Sequence, residues 1–218
     1  MAKPQFITEK ELRHMLKVAA ITGDSPLRDV ALLYVAYGTG AMLTELATVK
    51  ISDYLKEDGS VKEESLIRAE IAHNNRARPL YWSNPHVLAA VDAYLDYRIK
   101  HKHGVTTRKA AYRSLDPDSP IFLRADGEPY GLTQRKLDSG TISYSCDSLS
   151  QVFRRLHSQA GVIGHALAAR RTFAVRLNRK GYDVRHIAEL LGHSTISATK
   201  RLIDEDPVKL ADLVAGVV

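Results

Sequence analysis

Arg170-Arg171-Thr172-Phe173-Ala174, then Leu191-Gly192-His193, then Ser194-Thr195-Ile196-Ser197-Ala198-Thr199-Lys200-Arg201-Leu202 is the stretch on which the fold turns. Around it the chain reads as a succession of short helices, at about 148–160, 166–180, 184–191 and 195–203, with a last one at 208–215. Gly181-Tyr182-Asp183 separates the second from the third, and Leu191-Gly192 ends the third. His193 therefore stands just past a helix C-terminus, a place where a histidine often only caps the last carbonyls. Asp206-Pro207 opens the final helix, with proline at its first position. Arg170, Arg171, Arg176, Lys200 and Arg201 make this helical region basic.

Toward the N-terminus, Thr8-Glu9-Lys10-Glu11 is a capping box ahead of Leu12, Met15, Leu16 and Ala19, which recur at helical spacing. Ser25-Pro26 precedes a second helix through about Tyr37, broken by Gly38-Thr39-Gly40, and a third runs from about Leu43 to Val49. Lys56-Glu57-Asp58-Gly59 supplies turn chemistry before two strands, Ser65 to Ile71 and Arg76 to Trp82, joined at His73-Asn74-Asn75. Pro85 opens a long helix with Val87, Leu88, Val91, Tyr94 and Leu95 on one face. Arg98 to Arg113 is basic and carries no acidic residue, and residues 114–145 read as loop with at most short strands. The expected fold is mainly α with a small antiparallel β-sheet (α+β), one domain over residues 1–218.

At 218 residues, with 44% hydrophobic and 26% charged residues, the chain has the composition of a globular protein with a sizeable core. Its formal charge of +6 suits a polyanionic partner without demanding one. Cys146 is the only cysteine, so no disulfide forms within the chain, in keeping with a reducing compartment. The start, Met1-Ala2-Lys3-Pro4, does not read as a signal peptide, and the longest apolar runs, such as Val30 to Tyr37, are too short to span a bilayer. The expected location is the cytoplasm, in association with the nucleoid, with no membrane partner.

The quoted stretch resembles the C-terminal signature of the tyrosine recombinases (phage integrases). That pattern runs Arg-[His/Arg]-Thr-Phe-Ala, Leu-Gly-His, and a tyrosine nine residues past the histidine; here the ninth residue is Leu202, and no tyrosine follows Tyr182. The resemblance implies a recombinase catalytic-domain fold and duplex DNA as partner. It also implies a chemistry in which a tyrosine attacks a phosphodiester while arginines, a hairpin lysine and histidines hold the phosphate. Fixed cations are needed because the transition state gathers negative charge on the phosphoryl oxygens. Arginine suits the task because its planar fork grips two of them and keeps its proton.

Carried over position by position, Arg170 and His193 match. Thr39-Gly40-Ala41-Met42-Leu43-Thr44-Glu45-Leu46 aligns with Thr-Gly-x-Arg-x-x-Glu-Leu, so Met42 stands where the first arginine would, and reads as core. The hairpin lysine would fall near His73, yet no lysine lies between Lys62 and Lys100. His165 stands two residues too far ahead of Arg170, which on a continuous helix rotates it by about 200°. A later helix start would instead make it a helix N-terminal residue. The resemblance is strong over 170–202, good over 26–53 and topological between 60 and 165.

The resulting expectation is no enzyme but an inactive relative, a regulator or accessory factor of integration, excision or transcription in a mobile element. No catalytic residue is expected; duplex DNA is bound through Arg170, Arg171, His193, Arg176, Lys200, Arg201, Arg76 and Arg78, with Arg98 to Arg113 as a second surface. The alternatives are a divergent active recombinase with another nucleophile (or a partner's tyrosine), and a protein-interaction module that has lost DNA. The family's N-terminal core-binding domain is expected to be missing. Residues 207–218, rich in Val and Leu, either pack back on their own domain or dock on a second copy or an active integrase. No cofactor and no metal are expected: His101 and His103 lack ligand spacing, and no phosphate-binding loop or nucleophile elbow occurs.

Overall fold

In a computed structural model of the chain, the described residues are 5–72, 76–108, 110–136, 140 and 142–203. Helix α1 (Glu9–Ala19) opens on the expected capping box: the Thr8 hydroxyl accepts from the Glu11 N–H at 3.2 Å, and the Glu11 carboxylate accepts from the Thr8 N–H at 2.8 Å. Helix α2 (Pro26–Thr39) ends at Gly40, whose φ of 66° is left-handed. A side chain at Gly40 would meet Phe173 and Leu191 at 2.8 Å, so glycine there lets α2 approach the C-terminal helices. Helix α3 (Leu43–Thr48) follows, then a single turn, α4 (Ile51–Tyr54), that the sequence pattern did not suggest.

Strands β1 (Glu64–Ile67) and β2 (Arg78–Tyr81) pair antiparallel with Ser65 opposite Leu80. Of the residues connecting them, 73–75, His73 among them, lie outside the described residues. Helix α5 (Pro85–Lys100) is capped by Asn84, which accepts from the His86 N–H at 2.9 Å. A second antiparallel pair, β3 (Thr133–Lys136) and β4 (Ile142–Ser145), leads into α6 (Asp147–Gln159). The chain then runs through α7 (Ala166–Arg179), α8 (Val184–Leu190) and α9 (Ile196–Ile203). The expected helix at 208–215 lies outside the described residues.

Helix α2 is the axis of the core. Ala31, Leu32, Leu33, Val35 and Ala36 are all buried, because α5 packs on one side of it and α7 on another. A helix buried on this much of its circumference is apolar nearly all round. A smaller cluster of Ala174, Ile187, Leu191 and Ile203 fastens α8 and α9 to α7. The mainly helical α+β class is as expected, except that the strands form separate two-stranded sheets instead of one.

Candidate nucleic-acid interface

The arginine-bearing helix α7 begins one residue after His165. His165 is its N-cap, extended at φ −154° and ψ −176°, and its Nδ1 accepts from the Leu167 N–H at 3.3 Å. The two extra residues before Arg170 thus do not wind His165 around a continuous helix. The helix starts late and leaves the imidazole exposed at its mouth.

Arg170, four residues into α7, is only 6% exposed. Its Nη1 donates to the Gly40 carbonyl at 2.9 Å and its Nη2 to the Leu191 carbonyl. Burial pushes its pKa down to about 10, against the pull of nearby Glu45, so it stays protonated at neutral pH. Arg78 lies beside it, 2% exposed, and grips the equally buried Glu45: Nη2 to Oε2 at 2.5 Å and Nε to Oε1 at 3.1 Å. Its remaining fork nitrogen, Nη1, donates to the Leu190 carbonyl at 2.7 Å.

These contacts complete one piece of accounting. A helix leaves its last carbonyls without intrahelical partners. At the end of α8, the His193 N–H takes the Ala188 carbonyl at 2.9 Å and the Gly192 N–H takes that of Glu189 at 2.9 Å, the paired bonds of a Schellman turn. Arg78 and Arg170 take the next carbonyls, of Leu190 and Leu191. Gly192 is left-handed at φ 66°, and a Cβ there would meet Arg78 Cδ at 2.9 Å. His193 emerges from this fixed turn half-buried, and its Nδ1 pairs with the Thr199 hydroxyl on α9 at 2.7 Å, which sets the plane of its ring.

Arg78, expected on a phosphate-contacting hairpin, is therefore a buried structural arginine. The period of two along β2 puts Arg78 on the same inward face as Leu80, a signal present in the sequence. Glu45, quoted in the sequence only as part of the Thr39–Leu46 motif, is a buried carboxylate that must find a partner. It also accepts from the Met42 N–H at 2.9 Å, so one side chain caps α3 and holds Arg78.

The other expected residues separate by exposure. Arg171 is 7% exposed and Arg176 half-buried, its Nη2 at 3.4 Å from the Ile7 carbonyl. Arg76, Lys200 and Arg201 are exposed, the last two in the final turn of α9. Leu202 is half-buried against the small α7–α9 cluster. Met42, expected as core, is half-buried and lines a cleft of about 540 Å3 together with Leu43, Tyr144, Ser145, His165 and Leu167. His73 lies outside the described residues.

The proposed second basic surface is also altered. Arg98 is fully buried and donates to the carbonyls of Pro120 at 2.6 Å and Ile121 at 2.8 Å; burial lowers its pKa to about 10. Arg113 bonds Asp92 at 2.7 Å and the Gly59 carbonyl at 2.7 Å. Both ends of that segment hold loops in place, and Lys100, Lys102 and Arg108 are the exposed cations described between them. His101 and His103 gather round Tyr97, the His101 ring centroid 4.1 Å from it. Among the described residues, no three His, Cys, Asp or Glu side chains converge in a way that could hold a metal ion, and no helix is long and apolar enough to cross a membrane.

A buried arginine pair thus fixes a helix end, with one histidine just beyond it and another capping the arginine helix. Residues 5–207 match the Phage integrase family, and the chain belongs to that family. It is 25% identical over 197 residues to tyrosine recombinase XerC of Bacillus subtilis, a match covering 90% of this chain and 56% of that protein. Against XerC of Oceanobacillus iheyensis the figures are 30% over 197 residues, 90% and 55%. The chain thus spans about half the length of the curated relatives it matches. Its fold superposes on the crystal structure of XerA recombinase with a TM-score of 0.68 at 22% identity, covering 99% of this chain and 64% of that one. For XerH site-specific recombinase bound to palindromic difH substrate, the TM-score is 0.67 at 19% identity, covering 98% and 53%.

These relationships correct one expectation. Leu202, Met42 and the lysine-free hairpin led to the reading that the chain is no enzyme, whereas its family and its named relatives are recombinases. The substitutions describe particular positions, whereas the family match extends over residues 5–207.

Proposed function

We propose that this chain acts in DNA recombination as a recombinase subunit of an integration or excision assembly, binding duplex DNA through its phosphate backbone. Family membership across residues 5–207 carries this reading. Lys200 and Arg201 on α9, with His193 half-buried ahead of them, are the contacts best presented to a phosphate backbone. His165 and the cleft beside it form the adjoining part of the surface. Arg170 and Arg78 act through position: they hold the turn that carries His193. The XerH relative is bound to a DNA substrate, and the same general partner suits this chain's charge of +6.

Leucine has no hydroxyl with which to attack phosphorus. In the assembly we propose, the attacking tyrosine comes in trans from a second protomer, and this chain acts as a divergent recombinase subunit that holds the phosphodiester it attacks. Residues 207–218, outside the described residues, are the segment that would dock on that protomer; their deletion should abolish the mixed complex in sedimentation. The test of the reading is a nicked suicide duplex incubated with this chain and a tyrosine-bearing family member, followed by peptide mapping of the covalent adduct. An adduct on the partner's tyrosine, formed faster with this chain present, supports the reading. An adduct on this chain, or no effect of its presence, overturns it.

A further inference from the structure

The β3–β4 ribbon is built inside out. Opposed residues of an antiparallel pair share a face, so Gln134, Lys136, Ile142 and Tyr144 lie on one side and Thr133, Arg135, Ser143 and Ser145 on the other. A strand packed on its own protein turns its apolar side inward. Here Ile142 and Tyr144 are each 45% exposed, while Ser143 and Ser145 are half-buried. All of β3 is exposed. A two-stranded ribbon with so little covering it is marginally stable by itself, and an outward face bearing Ile, Tyr, Gln and Lys is a face for a partner.

Charge selects the partner. None of the eight strand residues is acidic, and Arg135 and Lys136 are both exposed; the ion pair from Arg135 to Asp147 is a loose 3.4 Å between solvent-exposed groups. Position selects it further. Tyr144 and Ser145 line the same cleft as Met42 and His165, so a duplex lying across the mouth of α7 continues onto the ribbon. A two-stranded ribbon fits the major groove of B-DNA, about 12 Å wide, where Gln pairs with the edge of adenine, Lys with guanine, and apolar groups with the thymine methyl.

We infer that the β3–β4 ribbon enters the major groove and reads base edges there with Gln134, Lys136 and Tyr144. This rests on the duplex-binding reading above and adds to it a sequence-reading element separate from the phosphate contacts on α9. A four-residue strand is roughly 13 Å long, which spans about four base pairs at 3.4 Å each.

The experiment selects duplexes from a random-sequence library with the purified chain. It then compares the wild type with Gln134→Ala/Lys136→Ala/Tyr144→Ala on the selected duplex and on an unselected one, by anisotropy and by dimethyl sulfate protection of guanine N7. The expected result is a loss of about 10-fold or more on the selected duplex, little change on the unselected one, and disappearance of one patch of major-groove protection. Undiminished preference with unchanged protection overturns the ribbon's role while leaving duplex binding intact. Failure of the wild type to bind either duplex overturns the underlying reading and the ribbon's role with it. Should the triple variant melt early, Gln134→Ala alone decides: its exposed side chain leaves the fold intact, and loss of preference at one base pair is expected. A wild-type dimer that the triple variant converts to monomer, with DNA binding unaltered, would assign the face to a second copy of the chain and contradict the inference.

Discussion

At the end of α8, Arg78 and Arg170 are buried and donate to backbone carbonyls; on α9, a short way along the chain, Lys200 and Arg201 stand in solvent. The two regions carry similar charge and divide it between different tasks. The buried pair satisfies a helix end and fixes the turn leading to His193. The exposed pair is available to a polyanion. Removing the first should cost stability, and removing the second should cost DNA affinity alone.

The largest effect is expected at Glu45. Glu45→Ala strips Arg78 of its carboxylate in a buried setting, where breaking one partner costs about 3–5 kcal/mol. Denaturant unfolding measures it, and a loss below about 1 kcal/mol would mean that Arg78 finds water or another partner. Next comes Gly192→Ala, which combines a left-handed backbone with a Cβ pressed on Arg78; about 1–3 kcal/mol is expected from the same measurement. His165→Ala should remove an N-cap worth about 1 kcal/mol, and an unchanged melting temperature would argue that the imidazole is not capping α7. Lys200→Ala/Arg201→Ala should alter stability by less than about 0.5 kcal/mol. A larger loss would erase the contrast between the two regions.

A pH dependence sharpens the stability side. His157 is buried, with Nδ1 at 3.2 Å from the Val162 carbonyl and Nε2 at 3.3 Å from the Tyr37 hydroxyl. Burial holds its pKa below the ordinary histidine value, and His165 nearby adds to the depression. The unfolded chain therefore binds this proton more readily than the folded one. Stability should be full above about pH 6.5 and fall as the pH drops through the lowered folded value. Unfolding midpoints across that range should decline for the wild type and flatten for His157→Gln; parallel curves would acquit His157.

The comparison also bears on what could be read in advance. Helices α6 to α9 fall within a residue or two of their expected bounds, because capping residues and glycines punctuate a clear helical period there. Resemblance supplied Arg170 and His193 but not their neighbours. Arg170 reaches the Leu191 carbonyl 21 residues on, while Arg78 caps that of Leu190, and no local pattern announces a contact across 112 residues. His165 could be placed only once the start of α7 was known. The β3–β4 ribbon was all but invisible: Thr-Gln-Arg-Lys against Ile-Ser-Tyr-Ser has its apolar face turned outward, so no inward alternation marks it as part of a core.

The central claim is that exposed cations of this recombinase-family chain bind duplex DNA through phosphates, and the salt dependence of duplex affinity tests it most directly. The account predicts log K falling linearly with log salt, by roughly 0.9 for each phosphate neutralised, with a shallower slope for Lys200→Ala/Arg201→Ala. An affinity that does not change with salt, or a slope that the double variant leaves intact, would contradict it.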